Sequence, residues 1–210
     1  MQTLIAIPAM SWVYTDFMQS MLALDKPDAQ LMVQTNSLVY DARNNIAWAA
    51  IQNGADRVLW LDSDMSFEPD LLTRLNADMD ENGLDCVSAF YTTRSEKRVP
   101  CIYKDIHWEI DGERVKTSAD PVTECPDVLF EVAGMGFGAV LMKTELIKAV
   151  IDGFGPPFQP MPYLGEDLAF FWRAGRLGRR MWCDGRINVG HIGTHIYRRE
   201  HVSDKSEPRP

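Results

Sequence analysis

Residues 58–64 read VLWLDSD, four apolar positions that end in Asp62 and Asp64 with Ser63 between them. Two carboxylates closing a buried run each cost several kcal/mol to desolvate unless a cation answers them. Both can turn toward one ligand once the chain leaves a sheet. Hard oxygen donors of this kind suit Mg2+ or Mn2+, with water or phosphate oxygens completing the shell. The plainer alternative is a turn, since Asp and Ser are turn formers. Glu166 and Asp167 follow Gly165 and open the helical pattern LAFFWRAG. Acids in a first helical turn are favoured by the helix dipole and need no function. The approach PPFQPMPYLG, however, is rich in proline and aromatic residues and looks like a lip that stacks a sugar or a base. A carboxylate there can serve as general base toward an acceptor hydroxyl.

Three further groups have suitable chemistry. His191, in INVGHIGTHIY, shares one face of an extended strand with Ile187, Val189, Gly193 and His195. It is either a hydrogen-bonded structural histidine or a third ligand to an ion held by Asp64. Gly190 and Gly193 argue against a helix, and so against a helical His-x-x-x-His zinc pair. Asp41-Ala42-Arg43-Asn44 stands at a helix start. Asp41 reads as an N-cap followed by a surface salt bridge, although Arg43 and Asn44 would also suit a phosphate or a nucleobase edge. Gly134, Gly136 and Gly138 form G-x-G-x-G in mid-chain. That is not a dinucleotide fingerprint; it points to close backbone approach to a ligand or a neighbouring strand.

The elements that must position these residues alternate. Strand patterns at 3–9 (closed by Pro8), 30–35, 58–62 and 84–90 are separated by helical patterns at 12–24, 42–53 and 69–82. In the first helix Trp12, Met18, Met21, Leu22 and Leu24 can form an apolar stripe. Gly54 and Gly83 follow the next two helices as C-cap residues, and Pro69 sits in the first turn of the third. This alternation predicts β-α-β units and a mainly parallel sheet, in which ligands bind beyond the carboxyl ends of the strands. Asp62 and Asp64 lie at such an end. Beyond residue 90 come a polar, basic loop at 92–100, a hairpin at 106–117 turning at Asp111-Gly112, and a glycine-bearing strand at 130–143. Helices at 144–151 and about 165–175, short strands to about 190 and a polar tail complete the pattern.

The 210 residues suit one domain, and 46% hydrophobic with 24% charged content is ordinary for a globular protein. No run approaches the ~20 apolar residues of a membrane span. The start MQTLIAIPAM lacks a basic region and runs straight into a strand, so a cytoplasmic location without a signal peptide is expected. A net charge of −9 disfavours holding duplex nucleic acid by phosphate neutralisation. One basic cluster, RAGRLGRR at 173–180 followed by Arg186, Arg198 and Arg199, reads as a solvated helix end or a local phosphate-facing surface. Cys86, Cys101, Cys125 and Cys183 form no C-x-x-C pair and are expected to be reduced thiols.

Taken in order, ARN at 42–44, LWLDSDM at 59–65, AGMGFGAVLM at 133–142, GED at 165–167 and GHIG at 190–193 resemble glycosyltransferases of the GT-A fold. The likeness is closest to compact bacterial and phage-type members of the family-2 kind and covers residues 3–193. It implies a nucleotide-diphospho-sugar transferase fold: α/β, with a Rossmann-like, mainly parallel central sheet flanked by helices and a small antiparallel hairpin excursion. One domain would span 1–195, with a polar tail at 196–210. The resemblance also implies a nucleotide-diphosphate sugar donor, a UDP-sugar being favoured, a divalent cation (Mn2+ or Mg2+), and hexosyltransferase-like activity.

Carried over residue by residue, Asp64 would coordinate the ion, Asp62 would contact the donor ribose or the ion's shell, and His191 would complete the metal site ahead of His195. Pro8, Arg43, Asn44, Ser63, Gly134 and Gly136 would border the donor. Asp167 would be the general base of an inverting transfer, with Glu166 orienting the acceptor. Arg94, Lys97 or Arg98 would close over the diphosphate. ARN before a D-x-D also occurs in retaining mannosyltransferases of this fold, in which Asp167 would lose that role. Two alternatives are a sugar nucleotidyltransferase and a catalytically silent nucleotide-binding module. The first usually has a Gly-rich basic loop after the first strand, where this chain has AMSWVY. The second would lack a metal ligand. Acceptor candidates are a glycan, a protein or a hydroxylated base in phage DNA; nothing indicates an oligomeric state.

Overall fold

The uninterrupted apolar runs of the sequence are strands buried on both faces. In the computed structural model, which describes residues 1–193 and the strand Ile196–Tyr197, alternate residues of each central strand enter two separate hydrophobic clusters. Leu4, Ala6, Val58 and Trp60 join one, and Ile5, Ile7, Leu59 and Leu61 join the other. A strand covered on both sides needs no polar alternation, which is why VLWL carries none.

In chain order the elements are β1 (Thr3–Pro8), α1 (Thr15–Ala23), β2 (Ala29–Gln34), α2 (Val39–Gln52), β3 (Arg57–Leu61) and β4 (Met65–Ser66). There follow α3 (Leu71–Asn82), β5 (Cys86–Phe90), β6 (Ile102–Asp111), β7 (Arg114–Pro121), β8 (Leu129–Val132), β9 (Gly134–Met135) and β10 (Ala139–Lys143). The chain continues through α4 (Thr144–Phe154), α5 (Glu166–Arg176), β11 (Met181–Asn188), β12 (Gly190–Ile192) and β13 (Ile196–Tyr197). The central sheet runs β2-β1-β3-β10-β5-β11-β8. The β1–β2, β1–β3 and β5–β11 pairs are parallel, and β10 is inserted antiparallel between β3 and β5. The expected mainly parallel sheet therefore holds, with β10 and β8 reversed. Two small sheets, β13-β12-β4 and β7-β6-β9, flank it.

Several boundaries moved for identifiable reasons. The first helix begins at Thr15, so Trp12 is a loop residue and 56% exposed. The buried stripe is Phe17, Met21 and Leu24, and Met18 and Leu22 face outward. This is one i, i+4, i+7 face. Asp41 is not the N-cap of α2. The helix starts at Val39 with Leu38 capping by backbone alone, which leaves Asp41 as a first-turn acid. Gly54 and Gly83 do end α2 and α3, both at positive φ. The hairpin is longer than the sequence pattern, spanning β6 and β7.

The expected strand at 130–143 is three strands, because the chain passes from the central sheet (β8) to the hairpin (β9) and back (β10). Its glycines are required by crowding at those turns. A Cβ on Gly136 would lie 2.1 Å from the Tyr91 hydroxyl, and one on Gly134 would lie 2.8 Å from Phe171 Cβ. The approach is thus to neighbouring side chains. The cysteines are all thiols, Cys86 and Cys183 buried. Among the described residues no helix is long and apolar enough to cross a membrane. His195, Arg198, Arg199 and the expected tail beyond Tyr197 lie outside the described residues.

Overpacking at Gly136 is directly measurable. Gly136→Ala should destabilise the protein by about 1–3 kcal/mol. Thermal unfolding would show a Tm lowered by roughly 2–4 °C per kcal/mol for a chain of this size.

Candidate functional site

A cleft of about 770 Å3 opens at the carboxyl ends of β1 and β3 and under the first turn of α5. Its walls are Pro8 to Met10, Trp12 and Tyr14 after β1, Ser37 to Val39 with Ala42 and Arg43 from the start of α2, and Asp62 to Asp64 after β3. Tyr91, Arg94, Phe137, Glu166 and Asp167 complete it. The position follows from topology, since strand ends in such a sheet leave a crevice that loops line.

The two aspartates of the D-S-D turn have different partners. Asp62 Oδ1 accepts a hydrogen bond from Arg43 Nη2 at 2.8 Å, and Glu166 Oε1 accepts one from Arg43 Nη1 at 2.5 Å. Arg43 is only 3% exposed, and its guanidinium carbon stands 4.9 Å from the centre of the Phe137 ring. Burial alone would lower the Arg43 pKa, but Asp62, Glu166 and Asp167 outweigh it and hold the guanidinium above its ordinary value. The expected surface salt bridge is therefore a buried two-carboxylate clamp.

Asp64 instead faces Arg94 Nη1 at 2.9 Å and His191 Nε2 at 3.5 Å. His191 Nδ1 lies 2.8 Å from the Thr92 carbonyl oxygen. A carbonyl only accepts, so Nδ1 carries the proton and Nε2 presents a lone pair toward Asp64 when the ring is neutral. The His191 ring also packs edge-on to Tyr91, with centroids 5.6 Å apart. Burial raises the Asp64 pKa, but His191, which donates from Nε2 and carries charge only as the imidazolium, together with Arg94 more than compensates and leaves it below its ordinary value.

At the opposite wall the Asp167 carboxyl is pushed above its ordinary value of 3.8, first by burial and then by Glu166; the Leu168 N–H and Arg43 oppose this. Leu168 N–H donates to Asp167 Oδ1 at 2.7 Å, which fixes the carboxylate within the helix turn.

Not every expected residue reaches the cleft. Pro8, Arg43, Asp62, Ser63, Asp64, Glu166 and Asp167 line it. His191 stands behind Asp64. Asn44 turns away, its side-chain oxygen accepting the Phe158 N–H at 2.9 Å. Gly134 and Gly136 are buried against Phe171 and Tyr91. Asp62 is engaged by Arg43, and among the described residues no three Asp, Glu, His or Cys side chains gather as a group able to hold a metal ion.

Even so, the donor chemistry fits a divalent cation at Asp64 and His191. The cleft holds four carboxylates (Asp62, Asp64, Glu166, Asp167) against two guanidiniums (Arg43, Arg94), so two negative charges are unmatched when all four are ionised. Tyr91, Phe137 and Thr92 were missed by sequence reasoning. Tyr91 directly follows β5 at its carboxyl end, and Phe137 stands between Gly136 and Gly138. Both positions carry a readable signal.

No protein-family model matches the chain, and the search of curated proteins found no match to it. Solved structures are similar in fold. The crystal structure of A197 from STIV is 21% identical, with a TM-score of 0.68 over 92% of this chain and 86% of that one. The crystal structure of GalNAc-T7 with UDP, GalNAc and Mn2+, a GT-A glycosyltransferase, is 12% identical, with a TM-score of 0.59 over 91% of this chain. This chain spans 44% of that one. At such identities the likeness concerns the fold alone.

The environment of Asp167 sets a pH dependence. With a folded pKa above the unfolded one, the stability it contributes is present below pH 3.8 and lost as pH rises through the folded value. Asp167→Asn, which keeps the acceptor for Leu168 N–H, should therefore raise Tm at pH 7. The gain should vanish in melts at and below about pH 3.8.

Proposed function

We propose that the protein is a metal-dependent glycosyltransferase that moves a sugar from a nucleotide-diphosphate donor, a UDP-sugar being favoured, to an acceptor hydroxyl with inversion. The observation that carries this reading is the gathering, in one cleft, of the D-S-D turn after β3 with Glu166 and Asp167 from a helix about a hundred residues later. The fold shared with a GT-A glycosyltransferase agrees with it.

Asp64 and His191 would hold the divalent cation, with diphosphate oxygens and water filling the remaining positions. When bound, the ion neutralises charge on the departing nucleoside diphosphate. Arg94, 45% exposed on the loop after β5, brings a further cation to the same wall. Arg43 fixes Asp62 and Glu166 as a positioning residue, leaving Asp62 to meet the donor and Glu166 the acceptor. Pro8, Ser63 and the loop bearing Trp12 border the nucleotide. Asp167 takes the proton from the acceptor hydroxyl as its oxygen bonds to the anomeric carbon and the bond from that carbon to the diphosphate breaks. A carboxyl raised by burial and by Glu166 is a stronger base than an ordinary aspartate, which suits that role.

Thermal-shift measurements test the reading. UDP with Mn2+ at about 100 times Kd should stabilise the protein by about 2.7 kcal/mol, a Tm rise of roughly 5–10 °C. Asp64→Ala should abolish that shift. Asp167→Asn should keep it while lowering transfer by roughly 10²–10⁴-fold. No shift with any UDP, GDP or dTDP compound would overturn the assignment.

A further inference from the structure

A second groove, of about 570 Å3, runs between the β6–β7 hairpin and the outer face of α5. It plays no part in the chemistry above, yet it is built like a binding site. Trp108 and Trp172 meet edge to face within it, centroids 5.4 Å apart. Arg176 lies over the Trp172 ring at 5.8 Å and has no carboxylate partner among the described residues. Gly175 forms part of the floor. A Cβ there would meet nothing within 4 Å, so packing does not require glycine. A glycine inside a helix costs roughly 0.5–1 kcal/mol relative to alanine, and what it leaves here is a flat, open surface.

The groove is tied to the segment that leads into α5. Trp108 Nε1 donates to the Pro162 carbonyl at 3.1 Å. Pro162 and Tyr163 form a tight turn closed by two backbone hydrogen bonds between Met161 and Leu164. Tyr163 adopts φ 64°, a left-handed conformation rare for a bulky residue, and its side chain is 83% exposed. A strained turn that displays a tyrosine to solvent is the kind of outlier from which function is inferred. Trp108 and Trp172 thus form an aromatic pair at the outer face of α5, and Tyr163 directly follows the Pro162 whose carbonyl Trp108 holds. At 1.5 Å per residue, Trp172 and Arg176 lie roughly 8–14 Å along the helix from Asp167.

The charges restrict the occupant. Three carboxylates (Asp105, Glu109, Glu131) and three guanidiniums (Arg176, Arg179, Arg180) line the groove. Arg179 is paired with Asp85 and Arg180 with Glu131. A balanced, polar groove with aromatic faces does not favour a polyanion, which would meet the carboxylates. It suits a neutral polyhydroxyl chain, whose C–H faces lie on the electron-rich rings while its hydroxyls meet the carboxylates and the unpaired Arg176.

We propose that this groove binds an uncharged oligosaccharide, the portion of the acceptor remote from the reacting hydroxyl; the inference rests on the glycosyltransferase reading. Native gel electrophoresis through dextran, mannan, galactan or β-glucan tests it, with a polysaccharide-free gel as reference. At least one polymer should retard the protein. A Tyr163→Ala, Arg176→Ala double variant, altered only at exposed side chains and melting as the parent does, should bind at least tenfold more weakly. Asp64→Ala should be retarded like the parent. Retardation without any nucleotide response would keep this site and sink the transferase reading, and a nucleotide response with no retardation by any polymer would do the reverse. Equal retardation of the double variant, or binding of a single-stranded oligodeoxynucleotide in place of the glycans, would also overturn the proposal.

Discussion

A single guanidinium organises the cleft. Arg43 is buried in the wall of the site with a carboxylate on each side and an aromatic ring against it, and those partners come from three distant parts of the chain. Stripping one member from such a buried set typically costs about 3–5 kcal/mol, because the remaining charges lose their answer in a medium that solvates them poorly. The start of α2, the end of β3 and the start of α5 are therefore held in register by charge as well as by packing. Phe137 shares this duty. It stacks against Phe171 and meets Phe158 and Phe170 edge to face, so Arg43 rests on a fully buried aromatic cluster.

The consequence is a division of labour within three residues of sequence. Asp62 is committed to Arg43, and Asp64, two positions on, is left to Arg94 and His191. That separation keeps two nearby carboxylates from repelling one another unanswered. It also leaves the Asp64 side of the cleft, where one partner is a half-exposed guanidinium and the other an imidazole, as the side able to exchange partners. The Asp167 side behaves differently: burial and Glu166 make its charge costly. One cleft thus holds one carboxylate stabilised as an anion and another held closer to its protonated form, the contrast that acid–base chemistry needs.

Much of the fold was legible because the central strands are covered on both faces and so read as short apolar runs between helical patterns. The glycine segment at 130–143 misled because pattern alone cannot say which sheet a strand joins. Its three pieces belong to two sheets, and the glycines answer to Tyr91 and Phe171, both far away in sequence. Trp12 misled in the same way: the helical spacing reaches back one turn before the helix begins, where the Trp12 ring meets Tyr14 edge to face instead of entering the core. Asn44 carries a side chain suited to a nucleotide, yet it serves Phe158 of the proline-rich link.

The sequence by itself determined the alternating architecture, the acidic residues at the end of β3 and the start of α5, and the histidine as a candidate partner. All of these follow from residue type and local spacing. Only the tertiary structure decided which charges answer which. Arg43 reads as a surface residue one turn into a helix until α5 and Phe137 are placed over it. The tautomer of His191 is fixed by a carbonyl ninety-nine residues away. Pairing in a low-dielectric interior depends on distance and burial, and neither quantity is encoded in spacing along the chain.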